Sequence, residues 1–326
     1  MSDRLKLCYF AVGLILVLLF TGCSPVLENP AIDLSEEESA ADDEAVGLRD
    51  TVLFYQDEAG FLIPVMRAIP WEEGIAKAAL RYMKNTFEMQ QDLTGMGLKA
   101  LVPDGTIILG MSIDENGLAT VDLSKEALEH NDALSESNMI RGVALALVEF
   151  PTIDRVQFLF EGNLLQMLEF GTQVGEPITP RYVNLEMGHD IEAQGNTVTV
   201  FFHTVSPSGF SYFIPVTRVV PAERVTLEDA MLELIRGLTT YGDMITGIPE
   251  GTRLLGVQMD KGTTYINFSR EFAQLYESPE MEPSVLKSII MSARLFPEVF
   301  DVRILVETEE YEGVESIVIP VFINEY

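Results

Sequence analysis

Alternating apolar and polar positions predict two β-hairpins, one near the start of each half of the chain. The first pairs residues 51–55 with 61–69, and the second pairs 198–203 with 212–220. A period of two places every second side chain on one face, as in a strand with one buried side. The intervening segments, DEAG and SPSG, have the Gly, Pro, Asp and Ser content of turns. Each hairpin is therefore expected to bury one face.

A helical period follows each hairpin. After the second hairpin, apolar residues recur at three- and four-residue spacing over 227–238. Thr226, with Asp229 three positions later, is typical of a helix N-cap. After the first hairpin, an apolar stripe over 71–83 predicts the equivalent helix.

The second half of the chain repeats the first. Matching residues occur in the same order, separated by 151 positions near the hairpins and by 145 or 146 positions farther on. The matches include Ile63-Pro64-Val65 with Ile214-Pro215-Val216, Asp122-Leu123-Ser124 with Asn267-Phe268-Ser269, and Phe150-Pro151 with Phe296-Pro297. Predicted strands at 107–113 and 119–123 and a helix at 139–147 also recur in the second half. A repeat of this kind indicates one structural unit used twice, with the element order ββαββαβ.

One glycine-containing turn stands in both copies, as VPDGTIILG and IPEGTRLLG. Its marker residues are Pro103, Gly105 and Gly110 in the first copy and Pro249, Gly251 and Gly256 in the second. The glycine spacing is that of a phosphate-binding loop. However, no Lys-Ser or Lys-Thr pair follows, and the predicted continuation is a strand rather than a helix. We expect a structural turn before a strand.

Two helices covering one face of a small mixed sheet predict an α+β fold for each copy. The predicted organisation is a signal peptide at 1–22, an acidic tether at 23–50, a first domain at 51–175, an inter-domain segment at 176–196 and a second domain at 197–326. The sequence leaves the relative orientation of the two domains open.

The N-terminus predicts export and lipidation. Arg4 and Lys6 precede an apolar run at 7–20, which suits a signal peptide and is short for a membrane span. The run ends in Phe-Thr-Gly-Cys23, which is similar to a bacterial lipobox whose cysteine is lipidated. An uncleaved anchor is the alternative. Both interpretations place the remainder outside the cytoplasm at a membrane, with the lipid on Cys23 in the first.

The charge is strongly acidic, with 51 Asp and Glu against 21 Lys and Arg and a net charge of −30. Nucleic acids and anionic lipid headgroups are therefore excluded as expected partners, because both select basic surfaces. Nine of the acids lie in residues 24–50 with a single Arg, which predicts a disordered tether. A calcium patch is the alternative there, but the spacing matches no calcium loop.

Candidate catalytic residues are few. Asp122 and Glu126 have acid–base chemistry, but Asn replaces the Asp in the second copy, and the Ser between them suits a strand-to-helix cap. The histidines are His130, His189 and His203, and no cysteine follows Cys23. We therefore expect no catalytic residue, no metal site and no cofactor. Arg67 and Arg218 are interpreted as braces within the sheet or as contacts to a partner.

The repeated motifs resemble those of the GerMN domain family. They are Ile-Pro-Val-x-Arg, the Pro-x-Gly-Thr turn, Asx-x-Ser-x-Glu and Phe-Pro, over 51–175 and 197–323. The second copy departs from the pattern where Glu161-Gly162 becomes Glu307-Thr308. Two such domains behind a lipoprotein leader resemble the sporulation and germination lipoproteins of spore-forming Firmicutes.

This resemblance implies a fold similar to the ring-building motifs of secretion systems. It also implies a non-catalytic scaffold role between the mother cell and the forespore, with a channel-like membrane complex as partner. Ring assembly is one arrangement that the resemblance implies, and the sequence leaves the oligomeric state open. The alternatives are a solute-binding lipoprotein of a transporter and a peptidoglycan-binding lipoprotein.

Overall fold

The computed structural model describes residues 47–72, 74–186, 196–238, 246–314 and 324. The predicted leader, with Cys23, and the tether as far as residue 46 lie outside the described residues, as does His189. The described residues belong to one compact unit. Among them, no helix is both long enough and apolar enough to cross a membrane.

The first repeat contains six strands and three α-helices within its described residues. It begins with β1 (Leu48–Asp57), β2 (Leu62–Pro70), α1 (Ile75–Arg81), α2 (Phe87–Thr94) and β3 (Leu98–Lys99). It continues with β4 (Ile108–Ile113), β5 (Leu118–Leu123), a 3₁₀ turn (Lys125–Leu128), α3 (Ala133–Val148) and β6 (Arg155–Phe160). The predicted order ββαββαβ is present, with α2 and the short β3 added after the first helix.

The second repeat has the same order without these additions. A short strand, β7 (Leu185–Glu186), precedes it. The repeat contains β8 (Asn196–Val205), β9 (Ser211–Val220), α4 (Leu227–Arg236), β10 (Leu254–Asp260) and β11 (Thr263–Phe268). It ends with a 3₁₀ helix (Arg270–Glu277), α5 (Glu282–Arg294), β12 (Asp301–Val306) and β13 (Glu309–Glu310). The prediction of a tandem α+β fold is confirmed.

Each repeat divides its strands between two sheets rather than one. In the first repeat the strand orders are β2-β1-β3 and β4-β5-β6, and in the second they are β7-β9-β8 and β10-β11-β12-β13. The mixed sheets pair β5 with β6, and β11 with β12, in parallel. The helix α3 contacts both β1 and β6, so it lies between the two sheets of its repeat. Its largely apolar sequence explains this position, because a helix that is apolar on several sides must be covered on each of them.

The helix starts show where the sequence patterns were sufficient. Thr226 accepts a hydrogen bond from the backbone of Asp229, whose side chain accepts one from the Thr226 N–H, so the predicted capping box at α4 is confirmed. The first helix was predicted from 71–83 but begins at Ile75. Trp71 is exposed and lies before the helix, whose N-cap Gly74 has a left-handed φ of 80° that a right-handed helix does not continue through.

Candidate functional site

The repeated Pro-x-Gly-Thr turn has the same conformation in both copies. Gly105 and Gly251 have φ angles of 79° and 82°, and the N–H of the following Thr points to the carbonyl of Pro103 or Pro249. A positive φ at this position favours glycine, because a Cβ would contact the backbone. The chain then enters β4 or β10, where Gly110 and Gly256 adjoin a β-bulge. No helix N-terminus follows the turn, so the geometry is not that of a phosphate loop.

The Asx-x-Ser-x-Glu motif of the first repeat fastens three backbone segments together. Asp122 accepts a hydrogen bond from the N–H of Gly162 at 2.9 Å, and Ser124 Oγ accepts one from the N–H of Ile107 at 2.9 Å. Ser124 makes no side-chain cap to the following 3₁₀ turn. The expected strand-to-helix cap is therefore wrong: the serine bonds across to the start of β4 instead.

The second repeat makes the same bonds with partly different residues. Asn267 accepts from the N–H of Thr308 at 3.1 Å, and Ser269 Oγ accepts from that of Arg253 at 3.0 Å. A carboxamide oxygen thus replaces the Asp122 carboxylate. Because the acceptor is kept while the charge is lost, the motif is used for its backbone contacts rather than for proton transfer.

The glutamates of this motif have pKa values displaced away from those of a general acid. A hydrogen bond from Ser124 is the main cause of the lowered pKa of Glu126, and the equivalent bond from Ser269 lowers the pKa of Glu271 to about 2. A catalytic acid requires a pKa raised towards the working pH. Both groups are therefore ionised acceptors at neutral pH.

The histidines show little of a catalytic arrangement. Nε2 of His130 lies 3.1 Å from the carbonyl oxygen of Ala127, and burial lowers the pKa of this ring. Nε2 of His203 lies 2.7 Å from Ser211 Oγ. Burial is the main cause of the lowered pKa of His203, and the positive charge of the nearby Lys287 lowers it further. Within the described part of the chain, no carboxylate is hydrogen-bonded to the His203 ring, so the third group of a triad is missing. Nor do His, Cys, Asp and Glu residues of that part form a metal-binding cluster.

Arg218 is buried and braces the second repeat. Its guanidinium binds Glu186 at 2.6 Å and Glu233 at 3.2 Å, and it donates to the carbonyl of Gly237 at 2.6 Å. Arg67, at the equivalent position in the first repeat, binds Asp92 at 2.9 Å. The structure thus places both arginines against carboxylates of the same chain.

The two repeats are joined edge to edge by two asparagines. The carboxamide of Asn184, which follows the first repeat, accepts from the N–H of Leu62 at 2.8 Å and donates to the carbonyls of Leu62 and Pro215. The backbone carbonyl of Asn184 accepts a hydrogen bond from the N–H of Thr217 at 3.1 Å. One side chain therefore bridges β2 of the first repeat and β9 of the second.

Asn324, which follows the second repeat, makes the equivalent set of bonds with the roles of the two repeats exchanged. Its carboxamide accepts from the N–H of Phe213 at 2.9 Å and donates to the carbonyls of Phe213 and Pro64. Its own carbonyl accepts the N–H of Met66 at 2.7 Å. Leu62 and Phe213, and likewise Pro64 and Pro215, are equivalent positions, so the two bridges are related by a pseudo-twofold axis. We call the pair Asn184 and Asn324 the asparagine clasp.

The β8–β9 hairpin of the second repeat adds contacts on one side of the clasp. The turn between β8 and β9 reaches α2 of the first repeat, where Ser208 Oγ donates to the carbonyl of Gly95 at 2.7 Å. Tyr212 donates to Asp57 at 3.3 Å, and burial raises the pKa of this Asp57 carboxyl. The orientation of the repeats, which the sequence left open, is set by these polar contacts and by a hydrophobic core cluster that includes residues from both.

Sequence reasoning missed the clasp, although a signal was present. Pro180-Arg-Tyr-Val-Asn184 and Pro320-Val-Phe-Ile-Asn324 share the pattern proline, any residue, aromatic, aliphatic, asparagine. Their separation is 140 positions rather than 146, so an alignment that kept the earlier spacing did not pair them.

The outer strands β4 and β10 present apolar side chains to solvent. Each is the end strand of its sheet. The segment 105–113 carries no charge, and Ile107, immediately before β4, and Leu109 within it are 59% and 47% exposed. On β10 the exposed apolar residues are Leu255 and Met259. Because an exposed end strand offers unpaired backbone groups to another chain, these two strands are the candidate interaction site.

Comparison with known proteins assigns the family. The family model described as "Germane: Sporulation and spore germination" matches residues 52–166 and 199–312, which include both repeats. The spore germination protein GerM of Bacillus subtilis strain 168 is 25% identical over 279 residues, covering 83% of this chain and 75% of that protein.

A solved structure has the same fold. The tandem GerMN domains of the sporulation protein GerM from Bacillus subtilis match with a TM-score of 0.67 at 21% identity, covering 85% of this chain and 99% of the other. Because the family model matches well over half of the chain in two copies, the chain belongs to the Germane family of sporulation and spore germination proteins.

Proposed function

We propose that this protein is a non-catalytic, lipid-anchored, extracytoplasmic component of a sporulation membrane complex. Its role in sporulation follows from the family. The proposal adds that the lipid on Cys23 holds it on the outer face of the cytoplasmic membrane. It also adds that its partners are proteins of a channel-like complex between the mother cell and the forespore.

The observation that carries the proposal is how the repeated motif uses its polar side chains. Ser124, Asp122 and their counterparts in the second repeat are hydrogen-bonded to backbone, whereas the apolar side chains of β4 face solvent. Because the polar side chains of the motif serve the fold while an apolar strand edge is exposed beside them, the site favours binding to another protein over catalysis. The net charge of −30 favours a partner segment that is apolar with basic flanks.

The edge is tested by capture of partners from sporulating cells of the host. Replacing Ile107 and Leu109 together with Asp should abolish capture of membrane-complex proteins, because charge blocks addition of a strand. The control is Met167→Asp, since Met167 is 56% exposed but lies outside β4. Normal capture by the β4 variant would exclude this edge as the contact.

The wider role is tested separately. Deletion of the gene should impair sporulation, and normal spore yield in the deletion strain would refute the proposal. Cys23→Ser should move the protein from the membrane fraction to the soluble fraction or leave it with an uncleaved leader. Unchanged lipid labelling in that variant would refute the anchor alone.

A further inference from the structure

The two exposed end strands offer the same kind of open edge. β4 in the first repeat and β10 in the second each end a sheet, and within the described residues neither pairs with a strand on its outer side. Alternate residues of such a strand direct their N–H and C=O groups outward, where another strand can bind them. A bulge lies at the start of each strand, so Gly110–Ile113 and Gly256–Asp260 remain in regular register for pairing.

The exposed apolar side chains of these two strands match in one antiparallel register. When Leu109 is placed opposite Met259, Ile113 falls opposite Leu255, because the two residues of each strand are four positions apart. All four side chains are between 43% and 48% exposed. Cross-strand contact of apolar side chains stabilises an antiparallel pair, and here it would also remove apolar surface from water. The register therefore uses every one of these exposed residues.

Charge favours this pairing over the two symmetric ones. The same register places Glu115, just after β4, opposite Arg253, just before β10, and both residues are exposed. An antiparallel pair of two β10 strands would instead bring Arg253 towards Lys261. A pair of two β4 strands offers no cation, because the charged residues of 104–115 are all acids. Opposite charges across an interface favour association and like charges oppose it.

The complementary edge cannot come from the same molecule as it is folded, because its β4 and β10 lie in separate sheets. We propose that β4 of one molecule pairs antiparallel with β10 of a second copy of this chain. The segment 253–261 has an apolar centre and a basic residue at each end. It therefore fits the partner chemistry that the acidic charge of the protein favours.

This pairing rests on the β4 edge of the proposed function and names the occupant of that edge. Because the contact joins two different surfaces, a row of molecules keeps one free β4 edge at its end. That edge remains for a partner protein of the membrane complex. One strand pair is small beside the interface of about 1,200 Å² that stable complexes bury. The pairing is therefore expected to need a high local concentration, such as molecules anchored on one membrane have.

The test blocks one edge at a time in the full chain, purified in detergent. One variant carries Ile107→Asp and Leu109→Asp, and the other carries Leu255→Asp and Met259→Asp, since charge on an end strand opposes strand addition. All four side chains are exposed, so both variants should keep the far-UV circular dichroism of the wild type. Sedimentation velocity up to about 1 mM, the effective concentration of tethered molecules, measures assembly.

The wild type should form assemblies that grow with concentration, whereas each blocked variant alone should stay monomeric. An equal mixture of the two variants should form dimers and nothing larger, because one contributes an unblocked β10 and the other an unblocked β4. A wild type that stays monomeric up to about 1 mM would overturn the proposal. Dimers of either variant alone would also overturn it, because they would show a symmetric pairing.

A charge exchange tests the register with changes outside the strands. Glu115→Lys and Arg253→Glu should each weaken self-association of the full chain about fivefold, the effect of losing an exposed ion pair. The double variant E115K/R253E reverses both charges and should restore the wild-type association. A double variant that associates no better than the single variants would overturn the proposal.

The outcomes separate this inference from the proposed function. Capture of membrane-complex proteins by a wild type that is monomeric throughout would overturn the β4–β10 pairing and leave the sporulation role in place. Normal sporulation of the deletion strain, together with dimers in the mixture of blocked variants, would refute the role and leave the pairing in place.

Discussion

Removal of the Arg218 side chain should cost more stability than removal of any exposed arginine. Its partners Glu186 and Glu233 have side chains only 8% exposed, so Arg218→Ala removes the buried cation that these two carboxylates share. The carbonyl of Gly237 also loses its donor. Breaking a buried ion pair from one side costs about 3–5 kcal/mol, a large part of the 5–15 kcal/mol that is typical of a folded protein.

The same carboxylate supplies the control. Arg236 also binds Glu233, at 2.8 Å, but its side chain is 63% exposed. An exposed ion pair contributes about 0–1 kcal/mol because water and salt screen it. Arg236→Ala should therefore have little effect, although it removes the same kind of charge from the same partner.

Urea unfolding followed by far-UV circular dichroism measures both variants. The midpoint for Arg218→Ala should fall well below that of the wild type, while the midpoint for Arg236→Ala should remain close to it. If the two variants unfolded at the same urea concentration, burial of the Arg218 cluster would not govern its energetics, and this reasoning would be refuted.

Three further changes test other features by thermal or chemical unfolding. Thr308 has a φ of 74°, which is costly for a β-branched residue, so Thr308→Gly should add about 1 kcal/mol, whereas Gly162→Thr at the equivalent φ of 73° should remove about 1–2 kcal/mol. A loss of stability in Thr308→Gly would contradict this. Burial tends to raise the pKa of Glu136, but backbone N–H donors outweigh it and hold the pKa below 4.5. Its stabilisation is therefore full above that pH and is lost as the pH falls through the folded-state pKa. The difference in melting temperature between wild type and Glu136→Gln should shrink on acidification, and a constant difference would be inconsistent with this origin. At Gly97 an added Cβ would lie 2.7 Å from the Ser206 Cβ, at a φ of 69°, so Gly97→Ala should cost about 2 kcal/mol. Adding Ser206→Gly removes the clash but not the positive φ, so the double variant should regain only part of the lost free energy of unfolding. Full recovery would show that the backbone angle carries no cost.

Local patterns predicted local structure well. The hairpins, the capping box at Thr226 and the helices α3 and α5 each depend on residues a few positions apart, where period and turn chemistry are sufficient. The error at Trp71 has a related cause. An aromatic residue at helical spacing fits the stripe, but the helix starts only after Gly74.

Long-range polar contacts were outside the reach of such patterns. Asn184 meets Leu62 across 122 residues and Asn324 meets Pro64 across 260. No periodicity links residues so far apart, and an asparagine after an apolar stretch is equally typical of a turn. The serine of the Asx-x-Ser-x-Glu motif escapes prediction for the same reason, since its hydrogen-bond partner is the N–H of Ile107, immediately before the neighbouring strand β4, rather than the adjacent helical turn.

The span of the Asn324 bridge has a consequence for the order in which the molecule is completed during synthesis. The backbone groups of Pro64 and Met66 are made early, but the residue that satisfies them is added some 260 positions later. Until then the nascent first repeat has an open strand edge, the feature of a partly made chain most prone to wrong pairing. The growing chain must therefore keep this edge apart from other chains until Asn324 has been synthesised.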